Sequence, residues 1–425
     1  RDRSVSRGLG DVYKRQLFKR CLLAIVVMFV VTSLQAQREM KTINDNWEFR
    51  KSIDESWESV NLPHTFNIDA YQQRNYYQGK GFYRRTLVLP EIVAERRYYM
   101  KIDAASKAAN IRVNGKEVGS HVGGYTACIV DITEYIRKEN LIEITVDNGR
   151  KDITPISADF TFWGGIYRDV WLISTPKQHF NMSNMGSDGI FISTPVVNEK
   201  RGVLKVKCEV TNDSHESSIL EVRSAIYSPQ GKLLQTIKQK QKLKSGETYI
   251  FENTSGAIES PDLWSPETPS LYLVKTTLVD PKSGKLLDEK NHKVGFRWFT
   301  FDGSKGFFLN GKSYKLRGLN RHQDQAPAGV ALDDEAHRRD IFLMKELGCN
   351  FIRISHFPQD DAILEMCDEL GLLAWEEIPI INIVPNTPGY DDNCEYNLRE
   401  MIRQHYNHSS VITLSLIHIS EPTRH

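Results

Sequence analysis

The sequence has no C-x-x-C pair, almost no excess charge and no apolar run long enough to span a bilayer. Its 425 residues hold six cysteines, all widely spaced. Five of them (Cys128, Cys208, Cys349, Cys367, Cys394) lie beyond residue 36. An odd number without a paired spacing supports neither a disulfide framework nor a zinc site. Lys and Arg number 55 against 54 Asp and Glu, for a net charge of +1. Charge so balanced offers no broad basic field to nucleic acid or an anionic membrane. A neutral or locally recognised small molecule is the expected partner.

The longest apolar stretch, FKRCLLAIVVMFVVT at residues 18–32, follows Lys19 and Arg20 and stops before Ser33 and Ala36. It is shorter than the roughly 20 residues a transmembrane helix needs. Residues 17–36 therefore read as a secretory signal with cleavage near Ala36, which implies a secreted or periplasmic protein. Cys21 stands at the start of the run, not at its end, so it does not fit a lipoprotein attachment site. Residues 1–16 are polar and basic with no initiating Met, and residues 417–425 break the pattern that runs to Leu416. Both ends read as non-native sequence.

What is present is an ordinary globular composition, 40% hydrophobic and 26% charged, in a chain too long for one core; two or three domains are expected. Over residues 37–180, short β-branched and aromatic runs alternate with turn signals: GFYRRTLVLP, RYYMKIDAA, NIRVNGKEVGSHV and NLIEITVDN. Asn114-Gly115 marks a hairpin, and the block reads as an all-β sandwich. A second β block follows over residues 181–296, with GVLKVKCEVTN, ILEVRSAIYS and LYLVKTTLVD as its clearest strands. Its length and turn spacing suit an immunoglobulin-like sandwich.

From residue 297 to 416 the rhythm changes. Strands are expected at 313–319, 350–355, 372–375 and 411–416, and helices at 333–347, 361–370 and around 396–406. Strand–helix alternation at this spacing argues a parallel sheet, and a (β/α)8 barrel, of which this is the first half, is its commonest setting. Such barrels carry their chemistry at the C-terminal ends of the strands. Those ends hold Asn320, Arg321 and His322, then Arg353 and His356, then Glu376 and Glu377. Alone, a histidine is more often structural and an Arg beside a Glu often only an ion pair. Three successive strand ends of this kind favour a functional rim.

NFIRISHFPQDDAILEMCDELGLLAW, residues 350–375, closely resembles the first signature of glycoside hydrolase family 2, with Ile354 at a normally small position and Phe357 for Tyr. RGLNRH, residues 317–322, resembles the family's RGVNRH, and ADFTFWGGIYRDVWLI, residues 158–173, is similar to the segment that closes its sugar-binding domain. The 34 residues from His322 to His356 are the separation found in β-galactosidases.

The resemblance implies a jelly-roll domain, an immunoglobulin-like domain and a TIM barrel acting on terminal β-linked sugars by double displacement. That reaction takes one carboxylic acid and one nucleophilic carboxylate roughly 5 Å apart. By resemblance the acid is the Glu of an Asn-Glu pair after the fourth strand. Here residues 407–416 read NHSSVITLSL, Ile419 stands in the acid's position, Glu421 comes two residues too late, and the nucleophile would follow His425. The chain as written is thus expected to have no glycosidase activity. His322 and His356 would hydrogen-bond sugar hydroxyls, Arg353 would orient the nucleophile, Glu377 would sit on the pocket floor, and Asp159 would reach over from the first domain to a sugar hydroxyl. The Phe-x-Phe-Trp run after Asp159 could stack on a sugar face.

No cofactor is implied. The active-site magnesium of some β-galactosidases is not expected, since Ile381 and Ile383 stand where its ligands would be and aliphatic chains cannot ligate a hard cation. A β-galactoside is the leading substrate; β-glucuronidase or β-mannosidase activity, or carbohydrate binding without catalysis, are the alternatives.

Overall fold

The structure, a computed structural model, describes residues 37–415. The leader, both suspected foreign ends, Ile419 and Glu421 lie outside these residues.

The first domain is built from strands that alternate inward and outward side chains. In Glu139–Asp147, Asn140, Ile142, Ile144 and Val146 are buried while their neighbours face out, as a period of two requires. That strand pairs antiparallel with Lys80–Val88 and Ala108–Val113 inside a six-stranded sheet. A four-stranded sheet holding Arg96–Ile102 and Val170–Pro176 packs against it. Trp47, Phe49, Met100, Ile111 and Val146 fill the space between the two. The hairpin expected at Asn114-Gly115 is present, with φ of 53° and 77°, the left-handed pair that a type I′ turn uses.

The second domain is also a two-sheet sandwich. One sheet gathers around Arg201–Asn212 and the other around Ser218–Tyr227 and Tyr272–Val279. Leu204, Val206, Val222, Phe251 and Val274 are sealed between them.

In the third domain four strands, β1 (Gly318–Arg321), β2 (Phe351–Ile354), β3 (Leu373–Glu377) and β4 (Val411–Ser415), pair in parallel and in sequence order. Helices α1 (Asp334–Glu346), α2 (Asp361–Leu370) and α3 (Tyr390–Gln404) connect them. Asp333 caps α1 by accepting the Ala336 N–H at 2.8 Å, and Asp360 caps α2 by accepting that of Ala362 at 3.0 Å, each satisfying a donor that the helix leaves open. Gly371, at φ 74°, ends α2 in the left-handed conformation. Ile341, Ile363, Leu364 and Cys367 press the first two helices onto Ile352, Ile354 and Ala374.

Two expectations shift. The strand expected at 313–319 is two elements: Lys312–Ser313 pairs with Gly306–Leu309 in a separate antiparallel sheet, and β1 begins only at Gly318. There a Cβ would lie 2.0 Å from the Phe351 carbonyl oxygen, so the parallel pairing can start at that close only at glycine. The last helix starts six residues earlier than expected, behind Gly389, because Tyr390, Cys394, Asn397 and Met401 continue the buried stripe backwards.

Both sandwiches are fastened to the barrel strands and helices. His121 and Thr126 reach Glu400 of α3 at 3.0 and 2.7 Å, and Arg168 donates to the Pro358 carbonyl at 2.9 Å. From the second domain, the Trp264 indole donates to the Asp368 carbonyl at 2.8 Å.

Candidate active site

Strand alternation decides which rim residues share a face. In β3, Trp375 and Glu377 point one way and Glu376 the other. Glu377 is buried, with only 2% of its side chain exposed. Its carboxylate accepts from Arg353 Nη2 at 3.1 and 3.3 Å and meets His356 Nδ1 at 2.8 Å. A carboxylate removed from water to this degree needs such compensation. The contact assigns the His356 proton to Nδ1. The Arg353 guanidinium also lies 5.1 Å over the Trp375 ring, which fixes its plane.

His322, just past β1, brings its ring to 5.2 Å from that of His356 at 70°. Burial, followed by the neighbouring His356, holds its pKa below the ordinary histidine value, while Asp324 and Asp159 oppose the shift. His322 is therefore neutral near pH 7 and can both donate and accept a hydrogen bond.

The segment that carries Asp159 comes from the first sandwich. Its backbone is pinned at Phe162, whose N–H donates to the Tyr76 hydroxyl at 2.7 Å and whose carbonyl accepts from Asn148 and Asn67 at 2.7 and 3.1 Å. Asp159 itself is exposed, and its charge acts on His322. Phe160 lies nearly parallel to His356, with ring centres 6.0 Å apart at 17°, and 6.3 Å from His322. Phe357 meets Phe160 at 5.4 Å and stacks on Tyr125 at 4.1 Å. The rim is thus roofed by the first domain.

His322, Arg353, His356 and Glu377 form one cluster, and Asp159 stands at its edge. Arg321 and Glu376 turn away from it. Arg321 is buried against Asp340 at 2.7 Å, His337 at 3.0 Å and Gln359 at 2.5 Å. Glu376 meets His405 Nδ1 at 2.7 Å, and the other ring nitrogen of His405 lies 3.4 Å from Asp361. Burial alone would discharge His405, but Glu376 and Asp361 outweigh it and push its pKa up to about 10. Of the two isoleucines at the expected magnesium positions, Ile381 is buried and Ile383 exposed.

A second feature had no counterpart in the sequence reading. A cavity of about 280 Å³ lies between the first sandwich and the barrel helices, lined by Asp103 and Asp169 from the sandwich and by Asp334, Asp360, Asp361 and Glu365 from the barrel. Burial, then Asp360 and Asp169, raise the Asp334 carboxyl to about 6. Among the described residues no three His, Cys, Asp or Glu side chains are already gathered as a metal cluster.

Two sandwiches fastened to a parallel strand–helix unit, with a loop of the first laid over a rim of carboxylate, arginine and histidines, define a multidomain barrel protein of the carbohydrate-active kind. The chain belongs to glycoside hydrolase family 2: the family's sugar binding domain matches residues 23–176, its central family 2 domain residues 188–297 and its TIM barrel domain residues 302–422.

A β-glucuronidase of Bacteroides fragilis is 34% identical over 395 residues, 89% of this chain and 56% of its own length. A β-galactosidase of Thermoanaerobacterium thermosulfurigenes is 34% identical over 394 residues, 88% of this chain and 53% of its own. Among solved structures, a Bacteroides uniformis β-glucuronidase matches at TM-score 0.87 and 57% identity, over 90% of this chain and 47% of its own. A Bacteroides uniformis β-glucuronidase 2, described as a calcium binding mutant, has two aspartates at its own positions 341 and 367 replaced by alanine. It matches at TM-score 0.85 and 58% identity, over 89% of this chain and 47% of its own. The chain spans about half the length of the relatives it matches.

Proposed function

We propose that the complete protein is a retaining, exo-acting β-glycosidase whose preferred substrate is a terminal β-glucuronide. The observation that carries the choice of sugar is the 57% identity to a β-glucuronidase over 90% of this chain, against 34% for the β-galactosidase. The rim supports the reaction class. Glu377 holds Arg353 and His356 in fixed orientation, so that Arg353 presents its remaining donors to a carboxylate and His356 and His322 meet sugar hydroxyls. Asp159 accepts from a hydroxyl on the far side of the ring, and Phe160 covers the rim against water. The two carboxylates of double displacement lie outside the described residues.

The full-length gene product tests this on an aryl β-glucuronide and the matching aryl β-galactoside. A kcat/KM at least about 100-fold higher on the glucuronide is expected, because a site built for a charged substituent rejects a sugar that lacks it. The reverse order would move the assignment to a β-galactosidase, and no turnover of either would leave a carbohydrate-binding protein.

A second reading concerns a metal remote from the rim. The two aspartates exchanged in the calcium binding mutant are 26 residues apart. Asp334 and Asp360 share that separation and line one cavity. Asp262 and Asp288 share it too, but Asp288 is neutralised by buried Arg38 at 2.7 Å. Calcium takes six to eight oxygen ligands and accepts carbonyls and waters beside carboxylates, so two aspartates lining one cavity fit it. We infer that this protein binds calcium through Asp334 and Asp360. Loss of calcium binding in the Asp334→Asn, Asp360→Asn double variant is the expected result.

A further inference from the structure

The calcium reading names only barrel residues, yet the cavity is shared between two domains. Most of its charges are already matched within it. Asp103 is paired with Lys101 at 2.7 Å, Glu365 with Arg338 at 2.5 Å and Asp361 with His405 at 3.4 Å. Three carboxylates remain, those of Asp169, Asp334 and Asp360, against the single guanidinium of Arg168, which lies 3.7 Å from Asp360. Because His405 is shared with Glu376 at 2.7 Å, the cavity carries an excess of negative charge that a divalent cation would offset.

Resting on that calcium reading, we propose that Asp169 is a third carboxylate ligand and that the cation ties the first sandwich to the barrel. Asp169 is placed for it. Asn44 donates to its Oδ1 at 2.8 Å, which fixes the carboxylate at the cavity wall. Its neighbour Arg168 already crosses the domain boundary to the Pro358 carbonyl and also holds the Tyr125 carbonyl at 3.2 Å. Tyr125 is the ring stacked on Phe357, beneath Phe160. A cation held between Asp169, Asp334 and Asp360 therefore fixes the contact through which the first domain places Phe160 and Asp159 over the rim. The metal acts as a staple between domains and takes no part in the chemistry.

The test uses chelator-treated full-length protein and calcium chloride. By titration calorimetry the wild type binds calcium, and Asp169→Asn binds it at least about tenfold more weakly, since calcium affinity follows the number of charged ligands. Hydrogen exchange on the wild type, which does not depend on any variant folding, should show calcium slowing residues 167–171 of the sandwich together with residues 333–336 of the barrel. Asp169→Asn binding within twofold of wild type, or slowing confined to the barrel segment, overturns the bridge while leaving the Asp334–Asp360 site standing. Absence of any heat or slowing in the wild type overturns both.

Discussion

Glu376 and Glu377 are adjacent in one strand, both buried and both bonded to a histidine, yet they serve opposite sides of the barrel. Glu376 faces the helices, where His405 sits between it and Asp361; Glu376 and His405 are enclosed, and Asp361 lies at the exposed outer end. Glu377 faces the rim, where His356 is only partly buried and lies under Phe160. The same pair of side-chain types is a closed ion pair in one place and a poised binding surface in the other. Burial of the partner, not the pair itself, separates stability from function.

The sharpest way to break that comparison is to remove each carboxylate in turn. Glu376→Ala leaves His405 as a buried cation with one partner fewer and should lower the unfolding free energy by about 3 kcal/mol, read from urea titration. Because the His405 pKa is raised in the folded state to about 10, its contribution is full below the unfolded value of about 6.5 and lost as pH climbs through about 10. Wild-type stability should therefore decline across that window more steeply than that of His405→Gln. Equal slopes would show that the histidine is not charged in the fold.

Glu377→Gln should leave the fold largely intact and lower kcat/KM of the full-length enzyme by about 100-fold, through misplacement of Arg353 and His356. Glu376→Gln should stay within about threefold of wild type on the same substrate. Asp159→Asn comes next, with a loss of at least about tenfold, or ~1.4 kcal/mol, and no change in thermal midpoint. A turn aspartate would show the opposite pattern. Smallest is Phe160→Ala, expected to raise KM about threefold with kcat nearly unchanged, as loss of a stacking surface does.

The fold was largely legible because periodicity does most of the work: period-two alternation in residues 139–147 and the Ile363, Cys367, Leu370 stripe each specify one element. The errors fell at junctions. Ser313 read as the start of a barrel strand because nothing local shows that it pairs backwards onto Phe308. At the site, the identity of the rim residues was readable but their facing was not: a one-residue slip exchanges Glu376 for Glu377, and Arg321 carries the same chemistry as Arg353. The acidic cavity was missed because its carboxylates come from separate domains. Asp334 lies in the first turn of α1 and Asp360 caps α2, local roles that say nothing of each other, and only the folded chain brings them against Asp169. The 26-residue spacing was the one signal in the sequence, and it has no meaning without a relative to compare.

The most direct test of the account is a crystal structure of the full-length protein with an unreactive β-glucuronide bound. The terminal sugar should lie at the C-terminal ends of β1 to β3, with its hydroxyls within about 3 Å of His322, His356 and Asp159 and Glu376 untouched behind the strand. A sugar seated elsewhere, or seated at the rim with Asp159 beyond hydrogen-bonding reach, would contradict it.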